Sequence, residues 1–362
     1  MRIILAGGGT GGPVIPLLAV AEEIRRRSPQ AEFLFVGTKT GPERELVEAK
    51  GIRFVSVPAA KFRRYFSLKN FTDIFVLIAG LIRSYRIVGG FRPDVIFSAG
   101  GFVAVPVSWA GRLKGARIMI HQQDARPGLA NRLISPIADK ITTAFEETAK
   151  RFRSKDPKAP DRVEWTGNPV RREFFESDIK SRDFFGLQGE LPVLLVFGGG
   201  TGAEQLNSLV EELLPGLVLG NQIIHITGRR KNNISFTHQN YHPYEFLRDE
   251  MPSAMKLADI VMCRAGLSTI SELSALGKVA VVIPIPDSHQ EDNARILRDA
   301  HAAVTVDKDE FDPETIGRII NSLRFNIGRQ KMLSRNIGAL MPKDAGERIA
   351  DRIIKLCDNA NR

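Results

Sequence analysis

Two short glycine-rich runs carry the first chemistry legible in this chain. Gly7-Gly8-Gly9-Thr10-Gly11-Gly12 follows the apolar run Ile3-Ile4-Leu5-Ala6 and satisfies G-x-G-x-x-G. Glycine at such a turn lets the backbone approach a phosphate, with a helix N-terminus beyond it. A bare strand-to-helix turn would have the same pattern. Val193–Phe197 followed by Gly198-Gly199-Gly200-Thr201-Gly202-Ala203 repeats it midway along the chain. A nicotinamide enzyme wants an acid after its second strand to hold the ribose hydroxyls. The corresponding stretch, Val36-Gly37-Thr38-Lys39, has none, so two such turns point instead to a cleft between two domains.

In the second half, Arg264-Ala265-Gly266-Leu267-Ser268-Thr269-Ile270-Ser271-Glu272 follows a strand and opens a helix. The helix N-terminus is suited to a diphosphate, and Glu272 to both hydroxyls of a ribose. Thr269-x-x-Glu272 also reads as a capping box, and both readings stand at this point. Pro284-Ile285-Pro286-Asp287-Ser288-His289-Gln290-Glu291-Asp292-Asn293 follows the next strand, where open α/β sheets bind ligands. A solvated loop ending in an N-cap is the plainer account, and His289 alone is no catalyst.

Asn70–Arg92 is a helical stretch with nine consecutive apolar residues, Ile74–Ile82. That is short of the roughly 18 a bilayer span needs. Arg63, Arg64 and Lys69 precede it, and Arg83, Arg86 and Arg92 follow. Apolar residues flanked by arginines suit a helix lying in an anionic interface, with Phe75, Leu77, Ile78 and Leu81 as its contacts. A buried helix with snorkelling ends is the alternative.

These segments need a scaffold. Continuously apolar strand candidates (Phe33–Val36, Arg53–Val57, Val95–Ser98, Arg117–Ile120, Lys140–Thr143) alternate with helical patterns in the first half. The second half offers Gln222–Thr227, Ile260–Cys263, Ala280–Ile283 and Ala303–Val306. This alternation predicts an α/β fold of two doubly wound parallel sheets covered on both faces. The boundary is expected near Thr166-Gly167-Asn168-Pro169. The expected domains are 1–166 together with a C-terminal helix in 343–362, and 167–342.

Composition fits a soluble globular chain of 362 residues with net charge +10. The charge is uneven: residues up to Trp165 hold 27 Lys+Arg against 15 Asp+Glu, and the remainder 24 against 26. A one-sided basic field suits an anionic surface. Cys263 and Cys357 form no metal spacing or disulfide framework, which favours a reducing compartment. The opening residues lack the apolar region and cleavage site of a signal peptide.

Taken in order, Gly7–Gly12, Gly100-Gly101-Phe102-Val103, His121-Gln122-Gln123-Asp124, Pro127-Gly128-Leu129-Ala130-Asn131, Gly167-Asn168-Pro169-Val170-Arg171 and Arg264–Glu272 resemble the MurG family of GT-B glycosyltransferases. The resemblance runs essentially from end to end. It implies two Rossmann-like domains with an interdomain cleft, needing no bound metal or cofactor. It implies inverting N-acetylglucosaminyl transfer from UDP-GlcNAc to the undecaprenyl-diphosphate-linked muramyl pentapeptide, lipid I to lipid II, in peptidoglycan synthesis. The first domain would bind acceptor and anionic membrane at the cytoplasmic face, as a peripheral protein, and the second the donor. Nucleic acid is not an expected partner.

Carried over by position, Thr10, Gly11, Gly12, Arg171, Gly200, Thr201, Phe246, Leu247, Arg264, Ser268, Glu272, Gln290 and Asn293 would bind the donor. Gly9, Thr10, Gly101, Phe102, Asp124 and Asn131 would bind the acceptor. The family's first glycine turn is followed by His, a base candidate, where this chain has Pro13; its His-Glu-Gln-Asn is His121-Gln122-Gln123-Asp124 here; and Gly200 stands where Ser is usual. The expected catalytic residues are therefore Asp124 and, second, His121. A MurG-like pseudoenzyme, a glycolipid transferase and a UDP-GlcNAc 2-epimerase are the competing functions. An epimerase has no need of a lipid-facing surface.

Overall fold

A computed structural model describes residues 1–8, 12–39, 41, 43–58, 69–153, 162–176, 179–199, 204–228 and 234–360, with side chains not described for 69–75 and 77. The chain divides into two compact units, Met1–Val170 with Pro342–Arg362, and Arg171–Met341.

In the first unit seven parallel strands form one sheet: β1 (Arg2–Ala6), β2 (Glu32–Gly37), β3 (Arg53–Ser56), β4 (Val95–Ser98), β5 (Arg117–Gln122), β6 (Lys140–Thr143) and β7 (Val163–Trp165). Their order is β3-β2-β1-β4-β5-β6-β7. Ile4 on β1 pairs with Leu34 on one side and Ile96 on the other, and all three are buried. Both sheet faces are covered, so the central strands carry consecutive apolar residues, as in Ile3–Ala6 and Val95–Phe97, rather than alternate ones. The order reverses between β1 and β4, and the loops after these two strands meet there. A Cβ on Gly101, whose φ is +91°, would lie 2.8 Å from the carbonyl oxygen of Gly8. Only glycine allows that approach.

The C-terminal helix, Ala345–Ala360, packs on the helix Val14–Arg27 through buried Ile349, Ile353 and Cys357. Arg352 clamps it to β7, with Nε and Nη2 at 2.7 and 2.8 Å from the two carboxylate oxygens of Glu164. That fork holds the Glu164 carboxyl below its usual range. The first unit runs past the expected boundary to Val170. Asn168 is tied to β5 through His121, and Gly167 fits against Pro342 with no room for a Cβ.

The second unit repeats the pattern with β8 (Val193–Phe197), β9 (Gln222–Ile226), β10 (Tyr241–Tyr244), β11 (Ile260–Cys263), β12 (Val279–Val282) and β13 (Val304–Thr305), ordered β10-β9-β8-β11-β12-β13. All pairings are parallel. Cys263 pairs with Phe197 of β8 and Val282 of β12. The residues after these three strands therefore emerge side by side at one edge. The strands β7 and β10 were not among those expected. β7 is three residues long, and β10 reads Tyr-His-Pro-Tyr, with a proline tolerated because the strand lies at the sheet edge.

Candidate functional site

At the carboxyl edge of the second sheet, the helix Leu267–Leu276 begins directly after Arg264-Ala265-Gly266. Its N-cap is Gly266, with no side-chain cap hydrogen bond. Thr269 is the third residue of the helix and not its cap, so the Thr269–Glu272 capping box is not formed. The amides of the first turn have no intrahelical acceptor and point where an anion would sit, and Ser268 is half-exposed beside them.

Glu272, one turn further on, is 8% exposed. Its Oε1 lies 3.7 Å from Nη2 of Arg171. Burial pushes the Glu272 carboxyl up to about 7, while Arg171 pulls it the other way. A buried carboxylate with, among the described residues, one long ion-pair contact is suited to accept a pair of hydroxyls.

The loop after β12 is drawn to the same corner. Ser288 caps the helix His289–Asp299 by accepting from the amide of Gln290, and Gln290 Oε1 accepts from the amide of Ile285 at 3.1 Å. Asn293, fully buried, donates Nδ2 to the carbonyl of Ala265 at 3.2 Å. The β11 and β12 loops are thereby joined. Phe246 is exposed and Leu247 buried in the segment after β10, at the same edge.

Arg264 is turned elsewhere. Its Nη1 donates to the carbonyls of Ile283 and Pro284, at 3.4 and 3.2 Å, and its Nη2 to Gln205 Oε1 at 3.3 Å. Among the described residues these partners are all neutral. The expected nucleotide-facing guanidinium instead braces the β12 loop against the helix Glu204–Leu217, because three acceptors lie on that side.

In the first unit, Gln122 organises the loop after β5. Its Nε2 donates to the carbonyls of Asp124 and Arg126 at 2.8 and 3.2 Å, and its Oε1 accepts from Asn131 Nδ2 at 2.7 Å. Gln123 donates to the carbonyl of Ala99, next to Gly100-Gly101-Phe102. Asp124 is half-buried on this braced loop, and Asn131 is buried beneath it. Asn131 also donates to the carbonyl of His121. His121 itself is fully buried. Its Nδ1 lies 2.9 Å from Thr142 Oγ1 and its Nε2 3.0 Å from Asn168 Oδ1, and burial pushes its pKa down to about 4. Both ring nitrogens are engaged inside the fold. The expectation of His121 as a second base is corrected to a tether between β5, β6 and the Gly167–Pro169 turn.

Gly12 is exposed at the start of the first helix, and Pro13 is that helix's N-cap. Gly9, Thr10, Gly11, Gly200 and Thr201 lie outside the described residues, as do the side chains of Phe75 and Leu77. Sequence reasoning missed Glu43. It is fully buried below the first glycine turn, and its Oε1 accepts from the Thr38 amide at 2.7 Å and from the Thr38 hydroxyl. An acid five residues after Thr38 gave no periodic signal of that role.

The helix Lys69–Phe91 buries Gly80, Ser84 and Val88, and exposes Ile78 (51%), Leu81, Ile82 and Tyr85. Trp109 and Leu113 (69%) are exposed on the neighbouring helix Ala104–Leu113. Arg83, Arg86, Arg112 and Lys114 are exposed among them, with Lys114 Nζ 3.9 Å from the Tyr85 ring centre. No helix among the described residues is long and apolar enough to cross a membrane.

The glycosyltransferase family 28 N-terminal domain matches residues 3–143, and the family's C-terminal domain residues 193–349. A curated UDP-N-acetylglucosamine–N-acetylmuramyl-(pentapeptide) pyrophosphoryl-undecaprenol N-acetylglucosamine transferase from Acetivibrio thermocellus is 33% identical, over 99% of both chains. The protein of the same name from Lachnoclostridium phytofermentans is 40% identical over 78% of both. Among solved structures, the Acinetobacter baumannii MurG crystal structure is similar with a TM-score of 0.75, at 24% identity, over 98% of this chain and 99% of that one. A UDP-GlcNAc 2-epimerase from Neisseria meningitidis bound to UDP-GlcNAc gives 0.69 at 16% identity, over 98% and 100%. At these identities the two structures speak for the GT-B fold alone, whereas the family domains and curated relatives speak for descent. The chain belongs to glycosyltransferase family 28 and, within it, to the MurG family of UDP-GlcNAc-dependent transferases.

Proposed function

We propose that the chain transfers N-acetylglucosamine from UDP to the undecaprenyl-diphosphate-linked muramyl pentapeptide with inversion, working peripherally on an anionic, cytoplasmic membrane face. The observation that carries the donor half is the corner around Glu272: a buried carboxylate behind an uncapped helix N-terminus. In this reading Glu272 accepts the two ribose hydroxyls, and the amides around Ser268 receive the diphosphate. Phe246 and Leu247 flank the base, and Gln290 and Asn293 hold the sugar side. Arg171 opposes the effect of burial and favours the charged form of Glu272. The leaving diphosphate develops charge against the Leu267–Leu276 helix N-terminus, a fixed dipole that needs no reorganisation.

The acceptor half is supported by the loops around Gly101, Phe102, Asp124 and Asn131. Asp124 takes the proton of the attacking hydroxyl, directly or through a water, since Pro13 has no basic atom and His121 is sequestered. The exposed apolar side chains around Ile78 and Leu81, ringed by arginines and Lys114, support docking to acidic lipid. A pseudoenzyme reading draws mainly on Pro13 standing where the family has His. Turnover of UDP-GlcNAc and lipid I separates the two. Formation of lipid II supports transfer, and intact UDP binding with no product would leave the pseudoenzyme.

A further inference from the structure

A cavity of about 450 Å³ lies in the second unit, between the helix Glu204–Leu217 and the loops that follow β12 and β13. Its walls include Leu209, Val306, Phe311 and Pro313, and Glu212 and Lys308 stand at its border. Of the described residues assigned above to the donor, only Arg264 borders it. Arg264 is 5% exposed and its guanidinium carbon lies 6.0 Å from the centre of the Phe311 ring. A guanidinium has five N–H donors. Among the described residues the three hydrogen bonds of Arg264 all go to neutral oxygens, and its buried Nε–H has no acceptor. Burial accordingly lowers its pKa, with no carboxylate opposing the shift. A buried cation lacking a counter-charge is costly, and buried charges are ordinarily paired. The carboxylates at the border do not supply the charge: Glu212 is exposed, and Asp307 is bonded to Arg298.

We propose that this cavity binds a small carboxylate with an apolar body, its carboxylate paired with Arg264 and its body against Leu209, Val306 and Phe311. The apolar walls lower the local dielectric beside the guanidinium and so strengthen the ion pair. The cation supplies orientation, as the few polar groups of apolar ligand pockets do. Because Arg264 also holds the Ile283 and Pro284 carbonyls, an occupant touches the loop that leads to Gln290 without occupying the Glu272 corner.

The test uses the full chain, with sodium benzoate as probe and benzyl alcohol as its neutral counterpart, titrated calorimetrically at constant ionic strength. Benzoate is expected to bind saturably at one site in the millimolar range, and benzyl alcohol about tenfold or more weaker. Ser208→Trp, made at an exposed lining position, is expected to fill the mouth, weaken benzoate about tenfold and leave UDP affinity unchanged. Arg264→Gln should abolish the preference for benzoate over the alcohol. Should that variant fail to fold, Ser208→Trp and the neutral probe still decide the matter. Equal affinity for the two probes, or benzoate binding unaffected by Ser208→Trp, overturns the proposal. Competitive displacement of benzoate by UDP also overturns it, because Arg264 would then belong to the donor corner.

Discussion

Arg171, the first residue of the second unit, places Nη2 3.7 Å from Oε1 of Glu272, a carboxylate buried on the helix Leu267–Leu276. The pair is long and Glu272 is deeply buried, so desolvation outweighs attraction and the carboxyl rises to about 7 from its ordinary 4.5. Two ribose hydroxyls need the ionised form as acceptor. UDP affinity is therefore expected to increase as pH rises through about 7 and to level off above it. Stability of the donor-free protein moves the other way. The folded pKa exceeds the unfolded value, so this group's contribution is full below pH 4.5 and is lost as pH rises through about 7. Calorimetric UDP titrations from acid to alkaline pH, with Glu272→Gln as control, check this. A slope that persists in Glu272→Gln belongs to another group.

Glu272→Ala removes the proposed acceptor itself. The expected loss is on the order of 1.5–3 kcal/mol of UDP binding, with no fall in thermal stability at neutral pH. The capping-box reading required the opposite pattern, and the helix start at Leu267 already removed it. A lower melting temperature with unchanged UDP affinity would sink the ribose assignment.

Ile78→Ser with Ile82→Ser removes two exposed apolar side chains without touching the buried face of their helix. Binding to acidic phospholipid vesicles, followed by co-sedimentation, is expected to fall about tenfold or more. Added salt should weaken the parent by screening Arg83, Arg86, Arg112 and Lys114. Equal binding to neutral and acidic vesicles would count against an electrostatic face.

The C-terminal helix is held both by packing and by charge. Ile353→Ala opens a cavity against the Val14–Arg27 helix and should cost about 2–5 kcal/mol in urea unfolding. Arg352→Met should cost less, because the Arg352–Glu164 fork is partly exposed and screened. Equal losses would mean the fork is far stronger than its exposure implies.

Much of the scaffold could be read from apolar runs punctuated by glycine, because buried parallel strands have few other compositions. Val95–Ser98, Lys140–Thr143 and Ile260–Cys263 begin and end where expected. What could not be read depends on tertiary partners. The direction of Arg264 is decided by carbonyls of Ile283 and Pro284, which local pattern does not reveal. His121 falls just past the expected strand Arg117–Ile120, yet β5 continues to Gln122 and draws the ring into the fold. Glu43 became visible only once Thr38 was seen above it.

Gln122 braces the carbonyls of Asp124 and Arg126, so the turn has supports besides the Asp124 side chain. Asp124→Asn therefore changes charge while the loop keeps its main supports. Loss of a general base removes roughly 10²–10⁴-fold in rate, and a fall of that order is expected in lipid II formation, with UDP affinity unaltered. His121→Ala should behave differently. It leaves Asn168 Oδ1 and Thr142 Oγ1 without the ring between them and should lower stability before it lowers turnover per folded molecule. Pro13→His, added to Asp124→Asn, puts an imidazole at the N-cap of the helix Val14–Arg27, and partial recovery of turnover is the expected result. Parental turnover in Asp124→Asn alone would remove the carboxylate from the mechanism.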